Sequence, residues 1–281
     1  MVISLYKSLN FQEMQNSYQI KDTILKVENV NLAYDNRKIL RDVNFEINDI
    51  VRPNVIQGQI AALIGRSGVG KTQLFKVLSG LIKPNTGSVK IDVDLHYVKA
   101  GEVGVVYQNY ILFNHRTIYD NLRIGLDFSG SVTKSADKNT IIKNYAQMFD
   151  LSEHLKKYPS QLSGGQKQRV SIIQQILTGN KFILLDEPFS GLDMLMVDKV
   201  MELLNKIATS NEYNTLIIVS HDVESAMAIS DTAFILANEH GKEGATITEK
   251  IDLMSLGLAW DPEIRAKPEF QKLITSIKNK I

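Results

Sequence analysis

A glycine-rich segment, GRSGVGKT, occupies Gly65 to Thr72 and constrains the fold more than any other stretch of the chain. It directly follows a short apolar run, QIAALI, which is typical of a buried parallel strand, and it precedes leucines at helical spacing. A strand, a glycine loop and a helix in this order arrange backbone N–H groups around an anion. The sequence therefore predicts a phosphate-binding loop inside an α/β fold.

The residue types within this loop suit a nucleoside triphosphate. Its glycines let the backbone bend around phosphates, Lys71 can reach the β- and γ-phosphates, and the Thr72 hydroxyl can ligate Mg²⁺. The alternative is a glycine turn followed by a surface lysine, and the strand–loop–helix context argues against it. The nucleotide-binding residues predicted here are Gly65, Arg66, Ser67, Gly68, Val69, Gly70, Lys71, Thr72 and Gln73.

The segment FILLDEP places two adjacent carboxylates, Asp186 and Glu187, at the end of a predicted buried strand. Ligands of open α/β sheets bind at the carboxyl ends of the strands. Two neighbouring carboxylates repel each other unless a cation or a water network accommodates them. Asp186 suits the Mg²⁺ shell, and Glu187 suits polarising a water for attack on the γ-phosphate. The alternative is an acidic pair that only caps the next helix.

A second glycine pair, Gly164 and Gly165, comes directly before another predicted helix within the sequence LSGGQKQRV. Ser163 can cap that helix, and Gln166, three residues later, can reach back in a capping box. The segment Ser163 to Gln166, called here the second glycine turn, would then be an open helix start with free N–H groups, which is an anion site. The first loop is already a complete phosphate site. The second turn is therefore expected to form one half of another phosphate site, whose other half lies elsewhere.

Composition excludes several classes of protein. The 281 residues include no cysteine, which excludes disulfides, thiolate metal sites and cysteine nucleophiles. The formal net charge of +1 gives no overall field that would attract nucleic acid. No apolar run approaches the ~18 residues that span a bilayer. We therefore expect a cytoplasmic protein whose membrane role, if it has one, comes through a partner.

Six elements together resemble the nucleotide-binding ATPase subunit of ABC transporters. They occur in the order of that family, and the resemblance covers roughly residues 24 to 240. LSGGQ is the most specific of them, because other P-loop ATPases lack it. The six elements are GRSGVGKT, Gln108, LSGGQKQR, FILLDEP, SGLD and His221.

The resemblance implies an α/β fold with a P-loop NTPase (RecA-like) core and a mostly parallel sheet. It also implies an N-terminal antiparallel β subdomain and an inserted α-helical subdomain at about 109–178. We expect an N-terminal extension at 1–23, the ABC ATPase domain at 24–240, and a short C-terminal tail of a strand and a helix at 241–281.

The resemblance also implies roles for single residues. Tyr34 lies where the family has a ring that stacks on adenine, and Gln108 resembles the glutamine that touches Mg²⁺ and the attacking water. His221 resembles the histidine that contacts the γ-phosphate, and Asp193, in SGLD, corresponds to an aspartate that signals across a dimer interface. The remaining histidines fit no motif and are interpreted as structural or surface residues: His96, His115, His154 and His240.

The partners implied by the resemblance begin with a second copy of the chain, or a homologous cassette. The two subunits would face head to tail around two ATP molecules, with Ser163, Gly164, Gly165 and Gln166 of each contacting the ATP held by the other. Transmembrane permease subunits would dock near NYILFNHRTIYDNL, at the inner face of the cell membrane, with a periplasmic or extracellular solute-binding protein in an importer. No nucleic acid partner is expected.

The transported solute is a narrower question. The ending RAKPEFQKLITSIKNKI resembles the short tail of nitrate, sulfonate and taurine importer ATPases, which favours import of a small solute of that kind. The alternatives are an exporter or lipid-transport ATPase, a soluble ABC ATPase that does not transport, and an inactive cassette. Intact Lys71, Asp186, Glu187 and His221 argue against the last.

The chain departs from the family pattern at three places. Thr72 is followed by Gln73 where a second hydroxyl residue is usual, although an amide can still donate to an α-phosphate. Ile173 and Gln174 stand where the family commonly has an arginine, so the sequence does not predict how that helix packs. The loop at 48–58 is longer than usual.

Overall fold

A computed structural model describes residues 18–35, 37–52, 58–129 and 134–281. Within them, ten strands form one sheet in the order β5-β4-β1-β2-β10-β9-β3-β8-β7-β6. The strands are β1 (Gln19–Tyr34), β2 (Arg37–Val51), β3 (Gln59–Ile64), β4 (Thr86–Ile91), β5 (His96–Tyr97), β6 (Val103–Val106), β7 (Phe182–Asp186), β8 (Thr215–Ser220), β9 (Thr232–Asn238) and β10 (Ala245–Asp252). The helices are α1 (Lys71–Leu78), α2 (Ile118–Ser129), α3 (Ser135–Met148), α4 (Gly164–Leu177), α5 (Met194–Ala208), α6 (Val223–Ala228) and α7 (Pro268–Lys280).

Five neighbouring strands, β9, β3, β8, β7 and β6, run parallel and form the core of the sheet. Every residue of β3 and β8 is buried, as their uninterrupted apolar sequences predict. The register pairs Ile64 with Ser220 and Asp186 with Val219. The segments that follow β3, β7 and β8 therefore leave the sheet at the same edge.

The other half of the sheet is mainly antiparallel, in the order β5, β4, β1 and β2. Strand β10 joins the halves, because it pairs with β9 antiparallel and with β2 parallel. The expected α/β architecture, with its antiparallel N-terminal part, is confirmed. β1 begins at Gln19, inside the expected extension, whereas residues 1–17 lie outside the described part of the chain. β2 runs to Val51 through the start of the expected loop, of which 53–57 are likewise not described.

Helices α2, α3 and α4 occupy the stretch expected to form the helical subdomain. Ile118 and Leu122 of α2 and Ile142 of α3 are completely buried, so this part shares the hydrophobic core. Gly125 of α2 lies so close to α4 that a Cβ there would be 2.5 Å from the carbonyl oxygen of Gln174. Among the described residues, no helix is both long enough and apolar enough to cross a bilayer.

A buried ion pair connects the end of β2 to the C-terminal part of the chain. Arg52 and Asp231 are 4% and 3% exposed, and the guanidinium lies 2.7 Å from the carboxylate. The ring of Trp260 stacks under the guanidinium at 3.7 Å, and its indole N–H donates to Asp231. Asp231 also accepts a hydrogen bond of 2.7 Å from the backbone N–H of Ile60, at the start of the strand that leads to the phosphate loop.

Candidate active site

The phosphate loop connects β3 to α1 as its sequence predicts. Gly68 and Gly70 have φ angles of 79° and 118°, a left-handed region that side chains disfavour, and a Cβ on Gly70 would also press on Ile39 at 3.3 Å. Gly70 precedes the first residue of α1, so the start of that helix faces the loop. A helix start with its free N–H groups is suited to bind an anion.

The ammonium group of Lys71 is held inside this loop, and the residue is only 6% exposed. Its Nζ donates to the carbonyl oxygens of Gly65 at 2.8 Å and of Arg66 at 3.1 Å. The same atom lies 3.3 Å from Oε1 of Glu187. A buried cation thus lies between the phosphate loop and the carboxylate that follows β7.

Glu187 is the centre of the site. Its backbone has a φ of 49°, a left-handed conformation that costs a residue with a side chain on the order of 1 kcal/mol. Its N–H donates to the carbonyl oxygen of Val219 at 2.8 Å, which fixes the turn against β8. Its Oε2 accepts from the Ser220 hydroxyl at 3.2 Å and from His221, at 3.2 Å from the backbone N–H and 2.7 Å from Nδ1.

Because an ionised carboxylate can only accept, Nδ1 of His221 carries a proton in this contact. Nε2 of His221 makes no hydrogen bond with any described residue, and the side chain is 48% exposed. The imidazole is thus oriented by Glu187 and has one nitrogen left for a ligand. Ser220 was not singled out by its sequence, although its place directly before His221 at a strand end was a usable signal.

Asp186 lies beside this cluster at the end of β7. Burial raises the pKa of its carboxyl group, the negative charge of Glu187 raises it further, and Lys71 opposes the shift. Among the described residues, Lys71 is therefore the one buried cation that offsets the charges of both carboxylates, and a second cation would further reduce the repulsion between them. The Thr72 hydroxyl makes no hydrogen bond with any described residue. Oxygen donors of this kind, few in number, suit Mg²⁺, which keeps waters and phosphates in its shell.

Two more predicted residues lie at the margin of the site. Gln108 donates from Nε2 to the Ser190 hydroxyl at 3.1 Å, and the N–H of Ser190 donates to the carbonyl oxygen of Glu187 at 3.1 Å. Tyr34 ends β1 and is 45% exposed, and its hydroxyl donates to Oε1 of Gln73 at 3.1 Å. That bond leaves the NH₂ group of Gln73 available as a donor near the phosphate loop.

The second glycine turn forms the capping box that its sequence predicts. The N–H of Ser163 donates to Oε1 of Gln166 at 2.9 Å, and the N–H of Gln166 donates to the Ser163 hydroxyl at 3.4 Å. A Cβ on Gly164 would meet nothing within 4 Å, whereas one on Gly165 would lie 3.0 Å from Cε of Met196. Packing inside the chain therefore does not require a glycine at 164.

The structure separates the predicted residues into two groups. The phosphate loop, Asp186, Glu187 and His221 lie together, and Gln108 and Tyr34 connect to them through Ser190 and Gln73. Among the described residues, no hydrogen bond or ion pair joins the second glycine turn to that group. Asp193 caps α5 by accepting from the N–H of Met196 at 2.9 Å, and no hydrogen bond joins its side chain to that group among the described residues.

A glycine loop between strand and helix, beside an acidic strand end on a parallel sheet, defines the class of P-loop nucleoside triphosphatases. Comparison with known proteins defines the family. The model of the ABC transporter family matches residues 48–190. The bicarbonate transport ATP-binding protein CmpD of Synechocystis is 31% identical over 83% of this chain and 81% of its own length. The chain therefore belongs to the ABC transporter family, as an ATP-binding domain of the ABC ATPase class.

Other relatives agree with this assignment. The sulfate/thiosulfate import ATP-binding protein CysA of Pectobacterium atrosepticum is 31% identical over 75% of this chain, and the match spans 63% of that relative's length. Among solved structures, cbiO1 of Clostridium perfringens, described as part of the ABC transporter complex cbiONQ, shares the fold with a TM-score of 0.69. It is 23% identical and covers 92% of this chain and 100% of that one. A dimeric post-hydrolysis ATP-binding cassette bound to ADP and Pi has a TM-score of 0.66 at 24% identity, over 82% and 99% of the two chains.

Proposed function

We propose that this chain is the ATP-hydrolysing subunit of an ABC importer for a small solute. The observation that carries the proposal is the position of Glu187, whose carboxylate lies between Lys71 and His221 at 3.3 Å and 2.7 Å. These contacts support a reaction in which Glu187 acts as the base, Lys71 binds phosphate and His221 contacts the γ-phosphate.

In the proposed reaction the phosphate loop and Lys71 bind the β- and γ-phosphates of ATP, and Gln73 donates to the α-phosphate. Glu187 accepts a proton from the attacking water while the bond from the γ-phosphorus to its bridging oxygen breaks, which gives ADP and phosphate. His221, oriented by Glu187, contacts the γ-phosphate. Tyr34 stacks on the adenine, consistent with its exposed ring beside Gln73.

Mg²⁺ fits the oxygen donors of Thr72, Asp186 and Gln108, which would hold it. When bound, it would neutralise phosphate charge during transfer. Burial raises the pKa of Asp186 most, and the charge of Glu187 raises it further; a bound cation would offset both effects and so stabilise the two adjacent carboxylates at the end of β7.

The second glycine turn would complete the ATP site of a second copy of the chain, or of a homologous cassette. Two features support this arrangement. Among the described residues, no hydrogen bond or ion pair joins the turn to its own phosphate loop, and a Cβ on Gly164 would have no described atom within 4 Å. A glycine that internal packing does not require is suited to the close approach of an external phosphate. Asp193, next to the turn through Met196, would lie at the same interface.

The membrane partner would dock on the loop between β6 and α2. Ile111 and Phe113 of this loop are 61% and 46% exposed. The fully buried side chain of Asn121 holds the backbone of the loop in place. The Asn121 amide accepts from the N–H of Phe113 at 2.8 Å and donates to three carbonyl oxygens, those of Phe113, Arg116 and Thr117. An ordered loop with exposed apolar residues is suited to bind a helix of a permease.

The proposed solute class is supported by the relatives, which are named for sulfate, thiosulfate and bicarbonate. These names and the C-terminal resemblance support import of a small oxyanion or sulfonate, such as nitrate, sulfonate or taurine. The alternatives are an exporter or lipid transporter, and a soluble ABC ATPase. Expression of the tagged chain in its own host, followed by isolation of its membrane partner and uptake of labelled anions, separates them: an importer subunit binds a permease and supports uptake, an exporter subunit supports efflux, and a soluble ATPase retains no membrane subunit.

A further inference from the structure

His154 contacts the second glycine turn although no motif includes it. It ends a short 3₁₀ helix, Ser152–His154, twelve residues before Gln166 in the chain. Its Nε2 lies 3.0 Å from Nε2 of Gln166. The side chain of Gln166 is therefore held at both ends, with its oxygen on the N–H of Ser163 at 2.9 Å and its nitrogen on His154.

The backbone N–H of Ser163 decides which atom is the donor and which is the acceptor in the contact between Gln166 and His154. The N–H of Ser163 can only donate, so the atom of Gln166 that faces it is the oxygen, and the NH₂ group faces His154. Nε2 of His154 must then offer a lone pair, which makes the imidazole neutral with its proton on Nδ1. In the opposite arrangement, Nε2 of His154 would carry the proton and the Gln166 amide would be turned round. Nδ1 is buried and makes no hydrogen bond with any described residue, so no partner of Nδ1 selects between the two arrangements. The opposite arrangement is disfavoured because the NH₂ group of Gln166 would then face the N–H of Ser163, and both groups are donors.

This contact matters for the free donors of the turn. The capping box occupies the N–H groups of Ser163 and Gln166, whereas those of Gly164 and Gly165 make no hydrogen bond among the described residues. They remain available to an anion only while the box holds the turn in this conformation. Loss of the contact to His154 would free the Gln166 amide to rotate away from Ser163.

We propose that His154 is a positioning residue for ATP hydrolysis, which acts by fixing the Gln166 amide so that the glycine N–H groups face the γ-phosphate of a second subunit. The proposal rests on the head-to-tail arrangement proposed above. His154 would act through Gln166 and not by binding nucleotide or metal itself.

The first experiment reads the tautomer directly in the wild-type chain. Nitrogen-15 NMR of the imidazoles at neutral pH, assigned by the signal lost in His154→Leu, is expected to show His154 with an unprotonated Nε2 and a proton on Nδ1. A proton on Nε2 would overturn the proposal, because the imidazole would then not accept from Gln166.

The second experiment uses a matched series in the Glu187→Gln background, where an ATP-dependent dimer is expected to persist. His154→Leu removes the acceptor. His154→Asn supplies an oxygen, but its shorter side chain does not reach Gln166, whereas His154→Gln supplies an oxygen near the position of Nε2. We expect the first two to weaken ATP-dependent dimerisation about fivefold, the loss of one capping interaction, and His154→Gln to restore it. ATP binding by the monomer should not change in any of them.

A double-mutant cycle separates positioning from general stabilisation. In a Gln166→Ala chain, His154→Leu is expected to have no further effect on dimerisation, because the contact is already absent. An additive loss, or an unchanged dimer in His154→Leu alone, would overturn the proposal. If the Glu187→Gln chain forms no ATP-dependent dimer at all, the head-to-tail arrangement fails instead, whatever the tautomer of His154.

Discussion

Nδ1 of His221 lies 2.7 Å from Oε2 of Glu187, so the proposed base and the residue proposed to contact the γ-phosphate form one hydrogen-bonded unit. Replacing Glu187 with glutamine keeps the size of the side chain and removes its charge. We expect ATP binding to persist and hydrolysis to fall about 100-fold or more, the usual contribution of a general base. Phosphate release and size-exclusion chromatography with ATP measure the two effects.

The control for this variant is Glu243→Gln, which changes an exposed carboxylate in the turn before β10. It should hydrolyse ATP at the wild-type rate and show no ATP-dependent dimer of long lifetime. A Glu187→Gln chain with wild-type turnover would remove Glu187 from the role of base.

Lys71 is the only ammonium group hydrogen-bonded to the phosphate loop among the described residues. Lys71→Ala removes a charge-assisted hydrogen bond to the phosphates, which contributes about 1.5–3 kcal/mol, so nucleotide affinity should fall roughly 10- to 100-fold. Titration with a fluorescent ATP analogue measures this, with the exposed Lys83→Ala as the matched control. Undiminished ATP hydrolysis by the Lys71→Ala chain would contradict the phosphate-loop interpretation.

The parts of the site that the sequence predicts well are those formed by neighbours in the chain. The phosphate loop and the capping box at Ser163 and Gln166 depend on residue types at short, fixed spacing, and both form as expected. The alternation of apolar strands and helices was also enough to predict the parallel core. β4 and β5 are not among the predicted strands. In β4 a usable signal was present, because the buried Val89 and Ile91 alternate with polar residues, whereas the two residues of β5 are too few to show a period.

Contacts between distant segments could not be read from the sequence. The hydrogen bond between Glu187 and His221 depends on the register of β7 against β8, and a shift by one residue would separate them. Gln174 was noted only as a departure from the family, yet its amide donates to the backbone oxygen of Asn121 at 2.9 Å. The contact between His154 and Gln166 joins two turns whose approach depends on the packing of the helical part.

A side chain at position 164 tests the proposed interface without disturbing the monomer. Because a Cβ on Gly164 meets nothing within 4 Å, Gly164→Val should fold with an unchanged melting temperature and bind ATP normally. Its hydrolysis should fall at least tenfold, because the valine would obstruct the phosphate of a second subunit. Gly165→Val is the contrast, since its side chain meets Met196 in its own chain and should also lower the melting temperature. Weaker ATP binding by the Gly164→Val monomer would argue against the cross-subunit position.

Asn121 shapes the proposed docking loop, and its removal should loosen that loop. Asn121→Ala deletes the acceptor of the Phe113 N–H and leaves three carbonyl oxygens without this donor. The carbonyl oxygens of Phe113 and Thr117 would keep their backbone hydrogen bonds from positions 116 and 121, whereas the N–H of Phe113 would lose its acceptor. An unsatisfied donor costs about 1–3 kcal/mol, so hydrogen exchange at Phe113 should accelerate roughly 5- to 100-fold. Asn205→Ala, on α5, is the control and should leave exchange at Phe113 unchanged. Equal exchange in Asn121→Ala and the wild-type chain would show that the loop is held by other contacts.

The ion pair of Arg52 and Asp231 should make a large contribution to folding stability, because breaking it leaves one buried charge without its partner. Asp231→Asn keeps the shape of the side chain but removes its charge under the guanidinium, and we expect unfolding free energy to fall by about 3–5 kcal/mol. The matched control is Glu239→Gln, since Glu239 pairs with Arg41 at the same kind of distance, 2.6 Å, but its side chain is 42% exposed. That change should cost at most about 1 kcal/mol. Urea unfolding followed by circular dichroism measures both. An equal decrease in the free energy of unfolding of the two variants would mean that burial does not increase the contribution of the Arg52–Asp231 pair to stability.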